Sequence, residues 1–83
     1  MRRKAMTIYI AWFRACPEQE LMFALLAWQD ITIGINPEKY TKGMCMKDSG
    51  GKGTPCAYLH GKLIAKGFFE LVDWLKKEGH ILL

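Results

Sequence analysis

Apolar residues in this chain follow two rhythms, and the changes between them mark the elements. Met6 to Trp12 (MTIYIAW) is dense in β-branched and aromatic residues, the composition of a buried strand. At Cys16-Pro17-Glu18-Gln19-Glu20 the pattern changes: proline suits a first helical position, and acidic residues suit a first turn. Leu21, Ala24, Leu25 and Trp28 then recur at helical spacing, with Met22, Phe23 and Leu26 widening the apolar face, so this helix is expected to be covered on more than one side. Ile31-Thr32-Ile33-Gly34-Ile35 reads as a second strand, broken by Asn36-Pro37.

A short helix is possible between Pro37 and Met46, and Lys47 to Thr54 (KDSGGKGT) reads as a loop. Cys56 to Leu59 and Lys62 to Ala65 flank His60-Gly61, which predicts a β-hairpin. Phe68, Leu71, Val72 and Leu75 fall at i, i+3, i+4 and i+7, with Lys76 and Lys77 in the last turn and Gly79 beyond it, so a closing helix is expected. The order βαβ, a variable segment, ββ and α predicts an α/β fold. A right-handed parallel crossover followed by an antiparallel hairpin gives a mixed four-stranded sheet with helices on both faces.

Composition narrows the class. Eighty-three residues, 51% hydrophobic and 24% charged, fit one domain over residues 1–83 and do not fit a disordered or fibrous chain. The longest apolar runs, Ile8 to Phe13 and Leu21 to Trp28, fall well short of the roughly 20 residues a membrane-spanning helix needs. The basic start Met1-Arg2-Arg3-Lys4 looks briefly like an export signal. The stretch after it contains Thr7 and Tyr9, ends at Arg14 and has no small-x-small cleavage pattern, so a buried strand is the better reading. The net charge of +4 comes from scattered residues rather than one stripe, which suits an acidic small ligand and gives no nucleic-acid footprint. Cys16, Cys45 and Cys56 are an odd set, better suited to a reducing compartment than to a secreted disulfide framework, so a cytoplasmic location is expected.

Candidate chemistry centres on Cys16. It stands between a strand and the first residue of a helix, where unpaired N–H groups and a partial positive charge favour a thiolate. Arg14 adds a fixed positive charge nearby, and Glu18 and Glu20 oppose it. Ser49-Gly50-Gly51-Lys52-Gly53-Thr54 fails as a phosphate loop, because Met46 and Gly53 stand where a glycine and a Ser or Thr are needed. Cys45, Cys56, His60 and His80 lack zinc-site spacing, so no metal is expected. Strand alternation with Tyr58 favours a buried, packed Cys56. The methionines, including the Met44-Cys45-Met46 run, fit gap-filling in a small core.

Cys16-Pro17 at a strand–helix junction, Thr54-Pro55 before a hairpin, and Leu59-His60-Gly61-Lys62-Leu63-Ile64-Ala65-Lys66-Gly67-Phe68-Phe69-Glu70-Leu71 together resemble the glutaredoxins of the thioredoxin-fold superfamily. The resemblance runs from Met6 to Leu83 and is most specific from Thr54 to Leu75. It implies that Cys16 is the nucleophile toward a glutathione mixed disulfide, with Arg14 serving its electrostatics. It also implies that Thr54 pairs strand-like with the glutathione cysteinyl unit, that Pro55 is a cis-proline, and that Gly67 and Phe68 open the helix receiving the γ-glutamyl carboxylate. Departures are plain. Gln19 stands where a second active-site cysteine would be, Glu18 replaces tyrosine, and Lys66-Gly67 and Phe69-Glu70 replace a Gly-Gly pair and the usual aspartates. Only single-thiol chemistry is then expected: a monomeric oxidoreductase using glutathione as co-substrate on glutathionylated or disulfide-bonded proteins, with no Cys16–Cys56 disulfide, no nucleic acid and no membrane partner. A redox-silent thioredoxin-like binding module with Phe68 and Phe69 as an apolar patch, or a two-iron cluster carrier using Cys16 and glutathione, are the alternatives.

Overall fold

A computed structural model describes residues 6–12, 16–35 and 39–79. The elements are β1 (Thr7–Ala11), α1 (Pro17–Trp28), β2 (Thr32–Gly34), α2 (Lys42–Asp48), β3 (Cys56–Leu59), β4 (Lys62–Lys66) and α3 (Phe68–Lys77). The strands form one sheet in the order β2-β1-β3-β4. β1 and β2 are parallel on either side of α1, and β3 is antiparallel to both β1 and β4. His60 (φ 52°) and Gly61 (φ 80°) make the β3–β4 turn with two left-handed residues, the conformation that matches strand twist in a two-residue hairpin. Ala57 pairs with Ala65 and Tyr58 with Leu63, so Ile64 is an extra residue bulged out of β4.

Strand alternation divides the interior in two. Ile8, Ile10, Ala57 and Ala65 face α1 and α3, where Met22, Leu26, Leu71 and Leu75 close an aliphatic core. The intervening residues Ala11, Cys56 and Tyr58 face the other way and pack with Tyr40 and Cys45, the latter on α2. Tyr40 lies between Tyr9 and Tyr58, with ring centroids 4.9 and 4.8 Å apart. Helices thus cover both faces of a mixed four-stranded sheet, and no helix among the described residues is long and apolar enough to cross a membrane.

Three expectations change. The buried residues of α1 are Gln19, Met22 and Leu26, whereas Leu21 is half-exposed and Trp28 is 84% exposed. The helix is apolar nearly all round, so periodicity alone does not select the side that meets the sheet. α2 begins later than Pro37 and extends into the expected loop, because Thr41 caps it by accepting from the Met44 N–H at 3.3 Å. The Thr54–Pro55 bond is trans, not cis. Trans is intrinsically favoured by about 0.5–1 kcal/mol before proline, and both neighbouring carbonyls find partners without the cis form. Pro55 C=O accepts from the Gly67 N–H at 2.7 Å, and Thr54 C=O from the thiols of Cys45 and Cys56.

Candidate functional site

Cys16 is the N-cap of α1, with extended backbone (φ −153°, ψ 162°) that turns the chain out of the helix. Pro17, which has no N–H to leave unpaired, starts the first turn, and Glu18 places a carboxylate at the positive end of the helix. The Cys16 side chain makes no capping hydrogen bond and is partly exposed. Cys45 and Cys56 are fully buried, so Cys16 is the one thiol of the three that solvent reaches. Arg14 lies outside the described residues.

The remaining candidates converge at the start of α3. Gly67 caps that helix with φ 94° and ψ 177°, a conformation that side-chain-bearing residues essentially never adopt. A Cβ there would lie 2.3 Å from Glu18 Oε2 and 2.9 Å from Thr54 Cγ2, so Glu18, Thr54 and Gly67 meet at one point. The Phe68 N–H donates to Glu18 Oε2 at 2.8 Å, across fifty residues of sequence. The Lys66 N–H donates to Glu70 Oε1 at 2.9 Å, and the Gly67 N–H to Pro55. Three consecutive backbone donors, at Lys66, Gly67 and Phe68, are therefore satisfied from within the chain. Thr54, Pro55, Gly67 and Phe68 do come together, and Glu18, two residues after Cys16, joins them. That fifth member was expected only as a charge opposing the Cys16 thiolate.

Gln19 is buried, and its side-chain oxygen has no hydrogen-bond partner. Phe69 is 80% exposed and meets Phe68 edge-to-face at 5.5 Å between centroids.

Behind β3 the two other thiols share one acceptor: Cys45 Sγ lies 3.3 Å and Cys56 Sγ 3.5 Å from Thr54 O. Both lone pairs of the carbonyl expected to face a ligand are thus engaged on the α2 side. Burial pushes the Cys56 thiol up to about 12, with the Cys45 thiol and Asp48 adding to the shift, so this sulfur stays protonated. Tyr58 donates its hydroxyl to Asp48, and burial together with that bond pushes its pKa up as well, so the phenol stays protonated. Met46 is exposed while Cys45 is buried, so the Met44-Cys45-Met46 run does not converge. Among the described residues no group of three His, Cys, Asp or Glu is placed to hold a metal ion. A separate apolar cleft of about 420 Å³, lined by Ile10, Trp12, Ile35 and Tyr40, contains none of the candidate residues.

Comparison with family models, with curated proteins and with solved structures yields no match.

Proposed function

We propose that this chain is a thioredoxin-like, glutaredoxin-type oxidoreductase that removes glutathione from mixed disulfides with one thiol. The observation that carries the reading is the contrast among the cysteines: Cys16 sits partly exposed at a helix N-cap with its sulfur free of any capping bond, while Cys45 and Cys56 are sealed behind β3. The sheet order, the position of Cys16 after β1 and the meeting of Thr54-Pro55 with Gly67-Phe68 support it. With Gln19 at the position of a second cysteine, the cycle runs through glutathione.

Cys16 thiolate attacks the glutathionyl sulfur of the substrate; the S–S bond breaks, and the target leaves as a thiolate that takes a proton from water. A second glutathione, as thiolate, attacks the glutathionyl sulfur now on Cys16, which forms glutathione disulfide and returns the Cys16 thiolate. The glutathionyl group lies along Thr54, Pro55, Gly67 and Phe68.

The test is turnover of a glutathionylated peptide with excess glutathione: Cys16→Ser loses at least about a hundredfold, the scale of removing a nucleophile. Full activity in that variant ends the reading. A second reading, a redox-silent binding module, draws on Phe69, which stands 80% exposed against Phe68 at the start of α3. Wild-type protein that binds a partner through this patch with no turnover above the Cys16→Ser background favours it.

A further inference from the structure

Behind β3, two cysteines that the chemistry of Cys16 does not use are held against each other. Cys45 belongs to α2 and Cys56 opens β3. Their sulfurs share one acceptor, Thr54 O, at 3.3 and 3.5 Å, and Cys56 Sγ lies 4.0 Å from the carbonyl oxygen of Cys45 itself. The Cys45 thiol is also within hydrogen-bonding reach of the Cys56 sulfur. Both residues are fully buried, so no reagent meets either sulfur while α2 is seated. α2 is the element that can leave. It is seven residues long, and its anchors on β3 are Cys45 and the Asp48–Tyr58 bond. Its first turn is capped by Thr41 through the Met44 N–H, and after it the chain runs through Gly50, Gly51 and Gly53, all at positive φ. A short helix so attached opens more readily than the central strand beneath it.

We propose that Cys45 and Cys56 are a second redox site, a dithiol that closes to a disulfide when α2 lifts and a low-molecular-weight disulfide enters. The Cys45 thiol gives its proton to water, and its sulfur attacks one sulfur of the reagent. That S–S bond breaks, and half of the reagent leaves as a thiolate that takes up a proton. Cys56, deprotonated in the same way, then attacks the Cys45 sulfur and expels the other half as a second thiol. Two protein thiols are oxidised and one small disulfide is reduced, so no further electron donor or acceptor is needed. In the closed fold burial keeps the Cys56 thiol protonated, and the pair is silent until α2 moves. The bridge consumes both S–H groups, so Thr54 C=O loses two donors and α2 becomes covalently tied to the sheet.

Cys16→Ser keeps the full chain and leaves only these two thiols. Incubated for several hours with hydroxyethyl disulfide in native buffer, it is expected to lose both titratable thiols while remaining monomeric. Trypsin should then release segment 43–47 joined to segment 53–62. Cys16→Ser/Cys56→Ala should instead accumulate Cys45 as its mixed disulfide with the reagent. Adding Thr41→Ala to Cys16→Ser removes the α2 cap and is expected to speed bridging roughly fivefold, the factor a lost N-cap is worth in an opening equilibrium. Circular dichroism melts establish that each variant is folded at the incubation temperature. Two thiols still reduced, a lasting mixed disulfide in the two-thiol protein, or intermolecular dimers overturn the proposal. A bridging rate unchanged by Thr41→Ala overturns the lifting of α2 as the route.

Discussion

The N-termini of α1 and α3 lie on the same side of the sheet and are finished in opposite ways. At α1 the capping position holds a cysteine whose side chain makes no capping hydrogen bond, so its sulfur is not used to finish the helix. At α3 the cap is a glycine with no side chain to offer, yet the donors at Lys66, Gly67 and Phe68 all have partners, supplied by Glu70, Pro55 and Glu18. One helix start leaves its capping sulfur without a hydrogen bond; the other has the N–H groups at its start paired. The two are joined through Glu18, which belongs to the first turn of α1 and completes α3.

The largest effect on this contrast comes from Gly67→Ala. The added Cβ meets Glu18 and Thr54 below contact distance on a backbone at φ 94°, and together these should lower stability by about 3 kcal/mol in urea unfolding. A loss under about 0.5 kcal/mol would show that the α3 start is loose and the contrast overstated. Glu18→Ala removes one partly buried charge-assisted bond and is expected to cost about 1 kcal/mol, with Glu18→Gln retaining roughly half of it. An unchanged midpoint would mean that α3 is not held by this carboxylate.

The smallest effect at neutral pH belongs to the other face of the sheet, where it separates the exposed thiol from the sealed ones. The folded state holds the Cys56 proton up to about 12, against an ordinary value of 9.0, so between those values the unfolded chain releases a proton that the folded chain keeps. The contribution is fully present below pH 9 and is lost as pH rises toward 12. Thermal melts should therefore fall across that interval, and Cys56→Ala should flatten the fall while leaving melts between pH 6 and 8 without pH dependence from this group.

Elements with a strong local pattern are legible in the amino-acid sequence alone. β1, the hairpin around His60-Gly61 and α3 all rest on short-range rules, and the observed spans of all three match the expected ones closely. α2 is less so, because the signal that starts it is Thr41 alone, set among weakly periodic residues. The buried side of α1 cannot be chosen from a stretch that is apolar nearly all round; only docking on the sheet selects Met22 and Leu26 over Leu21 and Trp28. Within the site, Cys16 follows from its place before Pro17, and the meeting of Thr54, Pro55, Gly67 and Phe68 follows from the family resemblance. The seat of Glu18 on Phe68 does not, because it depends on where two helices fifty residues apart come to rest. The cis form of Pro55 belongs to the family pattern, and this chain's own hydrogen bonds do not require it.

The span of the Glu18–Phe68 contact also orders events in time. A bond between residues fifty apart closes a long loop, and the chain entropy lost in that closure must be met by the sheet and the aliphatic core before one hydrogen bond returns anything. The contact therefore consolidates late, after β3, β4 and α3 have docked. A nascent or partly folded chain carries Cys16 with no carboxylate fixed at α3, and the bond that ties the first turn of α1 to the start of α3 arises only with the finished fold.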